Sequence, residues 1–186
     1  MTAGFVRTAR AKDADDLARI QVACWQHEYA GLLPPPVLAQ LTSDEAVKVW
    51  SGRWEEAIAN PPTSRHKVLA GVTDGADSGG ERAVAGFASA GPSGDEDRWP
   101  GTDAELYELR VQPGLTRQGH GGRLLHAVVD TLVDDGFRTA TTWVLEADTA
   151  LREFLEAAGW ADDGARAELD VGVTLPAIRL HTWIGS

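Results

Sequence analysis

The chain contains a single cysteine, Cys24, in 186 residues. An intrachain disulfide and a cysteine-based metal cluster are therefore excluded, and a reducing compartment fits. No stretch approaches the run of about 20 apolar residues that a spanning helix requires, so a soluble protein without a membrane partner is expected. The opening MTAGFVRTARAKDADD moves from a short apolar pulse straight into charge, without a secretory signal pattern, which implies the cytoplasm. Basic side chains are scarce: 17 against 28 acidic ones give a formal charge of −11. Such a field repels phosphate backbones and argues against nucleic acid. It favours a cationic partner such as an ammonium, although a charged surface also serves solubility alone. The five histidines show neither the paired spacing of a zinc helix nor cysteine partners, so no metal is expected.

Without internal repeats or a composition break, 186 residues read as one domain, 1–186. Residues 3–8 read as a strand. Behind the cap candidate Asp13, residues Leu17, Ile20, Cys24 and Trp25 recur at helical spacing. Gly31 and Pro34-Pro35-Pro36 break that helix. A second helical region covers 37–41 and 43–60, with Ser43 as its cap. Two β-rich runs, 66–72 and 82–90, flank the turn-like TDGADSGGE and predict an antiparallel hairpin. A strand at 104–111 then stops at Pro113-Gly114, and Leu124, Leu125, Val128, Val129, Leu132 and Val133 make a helical stripe from Gly121 to near Gly136. Residues 139–145 give a strand and 148–159 a helix. A short strand near Trp160, a polar linker and a strand over 175–183 close the chain, and exposed final strands could pair two copies as a homodimer. This order implies a mixed α/β sheet with antiparallel pairing and a crossover unit.

The turn Arg117-Gln118-Gly119-His120-Gly121-Gly122 joins a strand to a helix. Glycine there allows a sharp turn and close backbone approach, and the unpaired N–H groups of a helix start attract anions. A pyrophosphate fits; an ordinary glycine-bearing connection is the alternative, in which Arg117 and His120 are solvated loop charges. A Walker-type loop is excluded because Arg123-Leu124 follows the glycines, and the position of the turn after several strands excludes a dinucleotide fold.

The segment ELYELRVQPGLTRQGHGGRLLHAVVDTLVDDGF, with TTWVLEADTALREFLEAAGW after it, resembles the cofactor-binding region of the GNAT superfamily of N-acetyltransferases. RTARAKDADDLARIQVACWQHEYAGLLP and LPAIRL extend the likeness to a common bacterial branch over nearly the whole chain. The resemblance implies a mostly antiparallel central sheet with one splayed parallel pair, flanked by helices. It implies acetyl-CoA as cosubstrate, its pyrophosphate on Arg117, Gln118, Gly119, His120, Gly121 and Gly122. Its pantetheine arm would run along Leu109, Arg110 and Val111, with Asp148 and Phe154 completing the site. Two positions depart from the pattern: Thr116 replaces a Gln or Arg, and Leu155 replaces a tyrosine that protonates the leaving thiolate in many members.

An amine near pKa 10.4 must lose a proton to attack a thioester. Glu105, fourteen positions before Gly119, is the candidate base through one water, or else a surface strand carboxylate. Strict alternation puts Glu105 with Tyr107 and Leu109 on one face and Glu108 with Arg110 on the other. Trp25, Tyr29, Tyr107 and Trp143 are the candidate acceptor contacts, with His27 and Glu28 clustered beside Trp25 and Tyr29 before Gly31, though Trp25 and Tyr29, four apart, also suit core packing. The expected function is acetyl transfer from acetyl-CoA to a primary amine in a ternary complex. The alternative is an acyl-CoA-binding sensor with little or no catalysis.

Overall fold

The computed structural model describes residues 4–73 and 82–185 of the chain. Among them, seven strands form one sheet: β1 (Gly4–Thr8), β2 (Lys67–Thr73), β3 (Val84–Pro92), β4 (Asp103–Val111), β5 (Thr139–Leu145), β6 (Ala161–Asp170) and β7 (Thr174–Trp183). Their spatial order is β1-β2-β3-β4-β5-β7-β6. Every neighbouring pair is antiparallel except β4 and β5. The helices are α1 (Ala14–Glu28), α2 (Pro35–Leu41), α3 (Asp44–Ala59), α4 (His120–Asp134) and α5 (Thr149–Ala157). The expected mixed sheet is the one that forms.

Periodicity decides which helix covers which face. Leu124, Leu125, Val128 and Leu132 of α4 bury their stripe against Leu106, Ala140, Val144, Ile178 and Leu180, with Leu155 of α5 in the same cluster. On the opposite face Leu17, Ile20 and Cys24 of α1 and Trp54 of α3 pack on Ala70, Val72 and Phe87. Phe87 is fully buried and meets Trp54 edge-on at 4.9 Å between ring centres. The buried Trp54 indole donates to Gln21 Oε1 at 2.7 Å, so the one polar atom that Trp54 carries inward is satisfied. Ser43 caps α3 as its sequence suggests, its hydroxyl accepting from Ala46 N at 3.1 Å.

Three expectations need correction or fall outside view. The tail is not a short strand and a linker: β6 runs ten residues and pairs with β7 from Ala161↔His181 to Asp170↔Thr174. Its half-buried positions carry Ala165, Ala167 and Leu169, and Gly164 (φ 87°) lies in a bulge between Asp162 and Arg166. β7, the last strand, therefore has neighbours on both sides, and β6 is the edge. Exposed Arg166, Glu168 and Asp170 along that edge are the charges that discourage strand addition. The hairpin turn expected within TDGADSGGE falls at 74–81, outside the described residues.

Candidate functional site

β4 and β5 pair only over Asp103–Glu105 with Thr139–Thr141, and beyond that point they part. Thr141 Oγ1 donates to Ala104 O at 3.2 Å and Thr142 Oγ1 to Leu106 O at 2.8 Å, which fastens the closed end of the wedge. A bulge accompanies the opening: Ser89 of β3 lies opposite Glu108 and Ala90 opposite Leu106, so Tyr107 is the extra residue. Such an insertion increases local twist and turns the strand. It also overturns the alternation expected from sequence. Ala104, Leu106, Leu109 and Val111 all pack on the α4 side, whereas Arg110 pairs with Glu108 and with Glu28 of α1 on the other. Leu109 thus does not share a face with Glu105, and the two glutamates are not separated by the sheet.

Past β4 the chain turns through left-handed residues Gly114 (φ 93°), Arg117 (φ 59°) and Gly119 (φ 87°). α4 then begins at His120, one residue earlier than its apolar stripe suggests. No side chain caps it, whereas Ser43 caps α3 and Asp148 caps α5. Its first N–H groups therefore have no side-chain acceptor, and such groups attract anions. Two glycines follow in that first turn without any packing demand: a Cβ on Gly122 would meet nothing within 4 Å, and one on Gly121 would touch Phe154 at an ordinary 3.6 Å. Glycine in a helix is destabilising by about 1 kcal/mol relative to alanine. Both open onto a cleft of about 950 Å³ between the β4 end and α5. Room for a close backbone approach explains them.

Of the residues singled out by sequence, Leu109, Arg110, Val111, Arg117, Gly119, Gly121, Gly122, Asp148 and Phe154 line this cleft together. Asp148 does so while its carboxylate accepts from Leu151 N at 3.0 Å. Thr116 also lines it. Gln118 reaches across its own loop, Nε2 to Gly114 O at 3.1 Å. His120 is not a solvated loop charge. The residue is 2% exposed with Nδ1 3.1 Å from an Arg123 nitrogen, and burial, then Arg123, lowers its pKa.

The aromatic candidates sit elsewhere. Trp25 and Tyr29 are buried in a satellite cluster with Val22 and Leu33, Trp25 edge-on to Trp50 at 5.1 Å, so the packing alternative holds for them. Tyr107 lies against His66 and donates to Pro92 O at 2.6 Å. Trp143 donates to Asp95 at 3.2 Å beneath the guanidinium of Arg179. Arg179 is buried and also binds Asp97 and Asp163, tying the loop after β3 to β6. Glu105 lies at the closed end of the wedge and does not line the cleft. Burial, then Asp95, raises its pKa, against the Gly94 N–H and Arg179.

The last turns of α1 add Cys24, His27 and Glu28 to the cleft; His27 and Glu28 belong to the cluster expected before Gly31, and Cys24 alone escaped the sequence reading. Glu28 and Glu108 both bind the nearly buried Arg110. Burial works to lower the Arg110 pKa, but the two carboxylates more than reverse it. Glu28 is itself raised by burial, with Arg110 opposing. Cys24 donates to Val111 O at 3.3 Å, and burial pushes its thiol up to about 11. The signal was available, because Cys24 and Glu28 are four apart like Trp25 and Tyr29, one position round the helix.

A mostly antiparallel sheet is thus split by one splayed parallel pair, with an uncapped glycine helix start at the mouth of the cleft. Residues 36–160 match the family model for the acetyltransferase (GNAT) family. The chain is 31% identical over 146 residues to the uncharacterized N-acetyltransferase YuaI of Bacillus subtilis (strain 168), covering 78% of this chain and 74% of that one. Its fold is similar to yncA of Salmonella typhimurium, solved with acetyl-CoA, at TM-score 0.62 and 16% identity over 100% of this chain and 96% of that one. It is also similar to the PaiA N-acetyltransferase of Thermoplasma acidophilum, solved with coenzyme A, at TM-score 0.67 and 17% identity over 97% and 99%. The chain belongs to the GNAT family of acetyltransferases, acyltransferases that draw on acetyl-CoA.

Proposed function

We propose that the chain, as a single domain over 1–186, transfers an acetyl group from acetyl-CoA to a primary amine of a small molecule or peptide by direct attack in a ternary complex. The observation that carries this reading is the uncapped start of α4, whose Gly121 and Gly122 face the cleft without a packing reason. The backbone of Gln118, Gly119, His120, Gly121 and Gly122, with Arg117, binds the pyrophosphate, where the helix dipole adds favourable charge. The main chain of Leu109, Arg110 and Val111, unpaired on the β5 side, binds the pantetheine arm by strand addition, and Phe154 and Asp148 form the facing wall.

Acetyl-CoA supplies an activated acyl group as a thioester. The neutral amine nitrogen attacks the carbonyl carbon, the C–N bond forms, the C–S bond breaks, and the electron pair leaves on sulfur as thiolate. The amine proton passes through water to Glu105, whose pKa burial and then Asp95 raise above the ordinary carboxylate value, which strengthens it as a base. A main-chain N–H at the splay stabilises the carbonyl oxygen as charge develops. The thiolate is a tolerable leaving group at a thiol pKa of about 8.5 and takes its proton from water. Leu155 offers no acid and is fully buried in the main core. The net charge of −11 supports an ammonium-bearing acceptor over nucleic acid in a cytoplasmic, metal-free enzyme.

The same Leu155 favours a second reading, an acyl-CoA sensor that binds without turnover. An amine panel with acetyl-CoA separates the two, read as CoA release and as product mass. Acceleration above buffer with an acetylated product supports transfer. Binding of acetyl-CoA without acceleration by any amine replaces transfer with sensing.

A further inference from the structure

A second hollow, about 380 Å³, adjoins the cleft and is lined by Leu32, Leu145, Glu146, Ala147, Leu175 and Pro176. Neighbouring residues of the chain line the two concavities. Ala147 lines the hollow and Asp148 the cleft, so both flank the turn from β5 to α5. At the end of α1, Glu28 faces the cleft while Leu32 faces the hollow, and Leu32 N donates to Tyr29 O at 3.0 Å to hold that turn. Leu32, Leu145 and Leu175 also pack on the satellite cluster beneath, which fixes the hollow's shape.

Its chemistry is lopsided. Four aliphatic side chains and Ala147 line it with one carboxylate, Glu146, and no basic residue. An acceptor rich in hydroxyl or ammonium groups would leave them unpaired there, at a desolvation cost. The cleft side contributes the Glu28 carboxylate, which shares Arg110 with Glu108 behind it, so this trio of two carboxylates and one guanidinium carries a net negative charge.

Resting on the transferase reading, we propose that the hollow is the side pocket of the acceptor site and that the acceptor is a small primary amine bearing an apolar group. The ammonium is drawn to Glu28 at the cleft and the apolar body fills the hollow between Leu32, Leu145, Leu175 and Pro176. Glu28 is then a specificity-determining residue for the cation and the leucines for the chain attached to it.

The test uses n-alkylamines from ethylamine to n-hexylamine, with spermidine as the polar competitor, titrated into protein saturated with CoA. Burial of each methylene predicts roughly a three- to fourfold gain in affinity until the hollow is full. Leu175→Asp flattens that gradient without changing acetyl-CoA affinity; Leu32→Asn, on the opposite wall, does the same if the first variant fails to fold. Glu28→Gln weakens every alkylamine alike and leaves the gradient. Equal affinity along the series, or spermidine binding more tightly than n-hexylamine, overturns the inference. A gradient in binding without turnover keeps the pocket assignment and removes the transferase reading, so the two fail separately.

Discussion

Replacing Gly121 by valine separates the glycine turn as a ligand site from the glycine turn as a fold element. Gly121 lies in the first turn of α4 with an ordinary helical backbone, and its absent Cβ would meet Phe154 Cζ at 3.6 Å and Val111 Cγ2 at 3.7 Å, both normal contacts. The Cβ therefore fits, and the two additional methyl groups of Gly121→Val project into the cleft. Valine is slightly the better helix former, so stability should change by no more than about 0.5 kcal/mol. Binding should change far more. Holding a pyrophosphate away from the helix start forfeits one or more charge-assisted hydrogen bonds of about 1.5–3 kcal/mol each. That corresponds to roughly a tenfold to hundredfold rise in Kd. Calorimetric titration with acetyl-CoA reads the affinity and thermal unfolding reads the fold. An unchanged Kd with an unchanged Tm would refute the placement of the pyrophosphate.

Three further perturbations address other parts of the account. Glu105→Gln should slow transfer by about a hundredfold or more on the acid side of the pH profile, where deprotonating the amine limits the rate. The raised pKa of Glu105 moves that limb upward in pH, and a profile identical to the parent's removes Glu105 as the base. Asp13→Ala should destabilise the fold by about 3 kcal/mol, because the buried Asp13 accepts from Arg7 at 2.6 and 2.9 Å and from Arg10 N at 2.7 Å. The Arg7 hydrogen bond holds the Asp13 carboxyl below its ordinary value, so this stabilisation is complete above the unfolded aspartate pKa and fades as pH falls through the lower folded one. A loss under about 1 kcal/mol in urea unfolding would contradict it. Cys24, buried and pushed up to about 11, should resist iodoacetamide near neutral pH in the folded protein; stoichiometric alkylation within minutes by mass spectrometry would show the thiol to be accessible.

The sequence carried the fold well where a single periodicity governs a segment. The α4 stripe, the Ser43 cap and the valine- and alanine-rich inner strands all stand where composition and spacing put them. It carried less where a local irregularity changes the register. Nothing in ELYELRV announces that Tyr107 is extra, yet that one residue sends Leu109 to the opposite face from the one alternation assigns. β6 was illegible because its inward positions hold alanines and one leucine, too little apolar contrast to stand out beside its charges. The glycine loop was legible as a turn into a helix because three glycines within four residues mark it, and α4 does begin there without a side-chain cap. The cluster before Gly31 was legible in part: Trp25 and Tyr29 turn out to be core, while His27 and Glu28 line the cleft, and the partner of Glu28, Arg110, lies 82 residues away along the chain.

The central claim is that the cleft between β4 and α5 binds acetyl-CoA through the start of α4. Calorimetric titration of the protein with acetyl-CoA tests it most directly. The account predicts saturable one-to-one binding in the micromolar range. Absence of binding would contradict it, and would mean that the chain keeps the architecture of its family without the cosubstrate site.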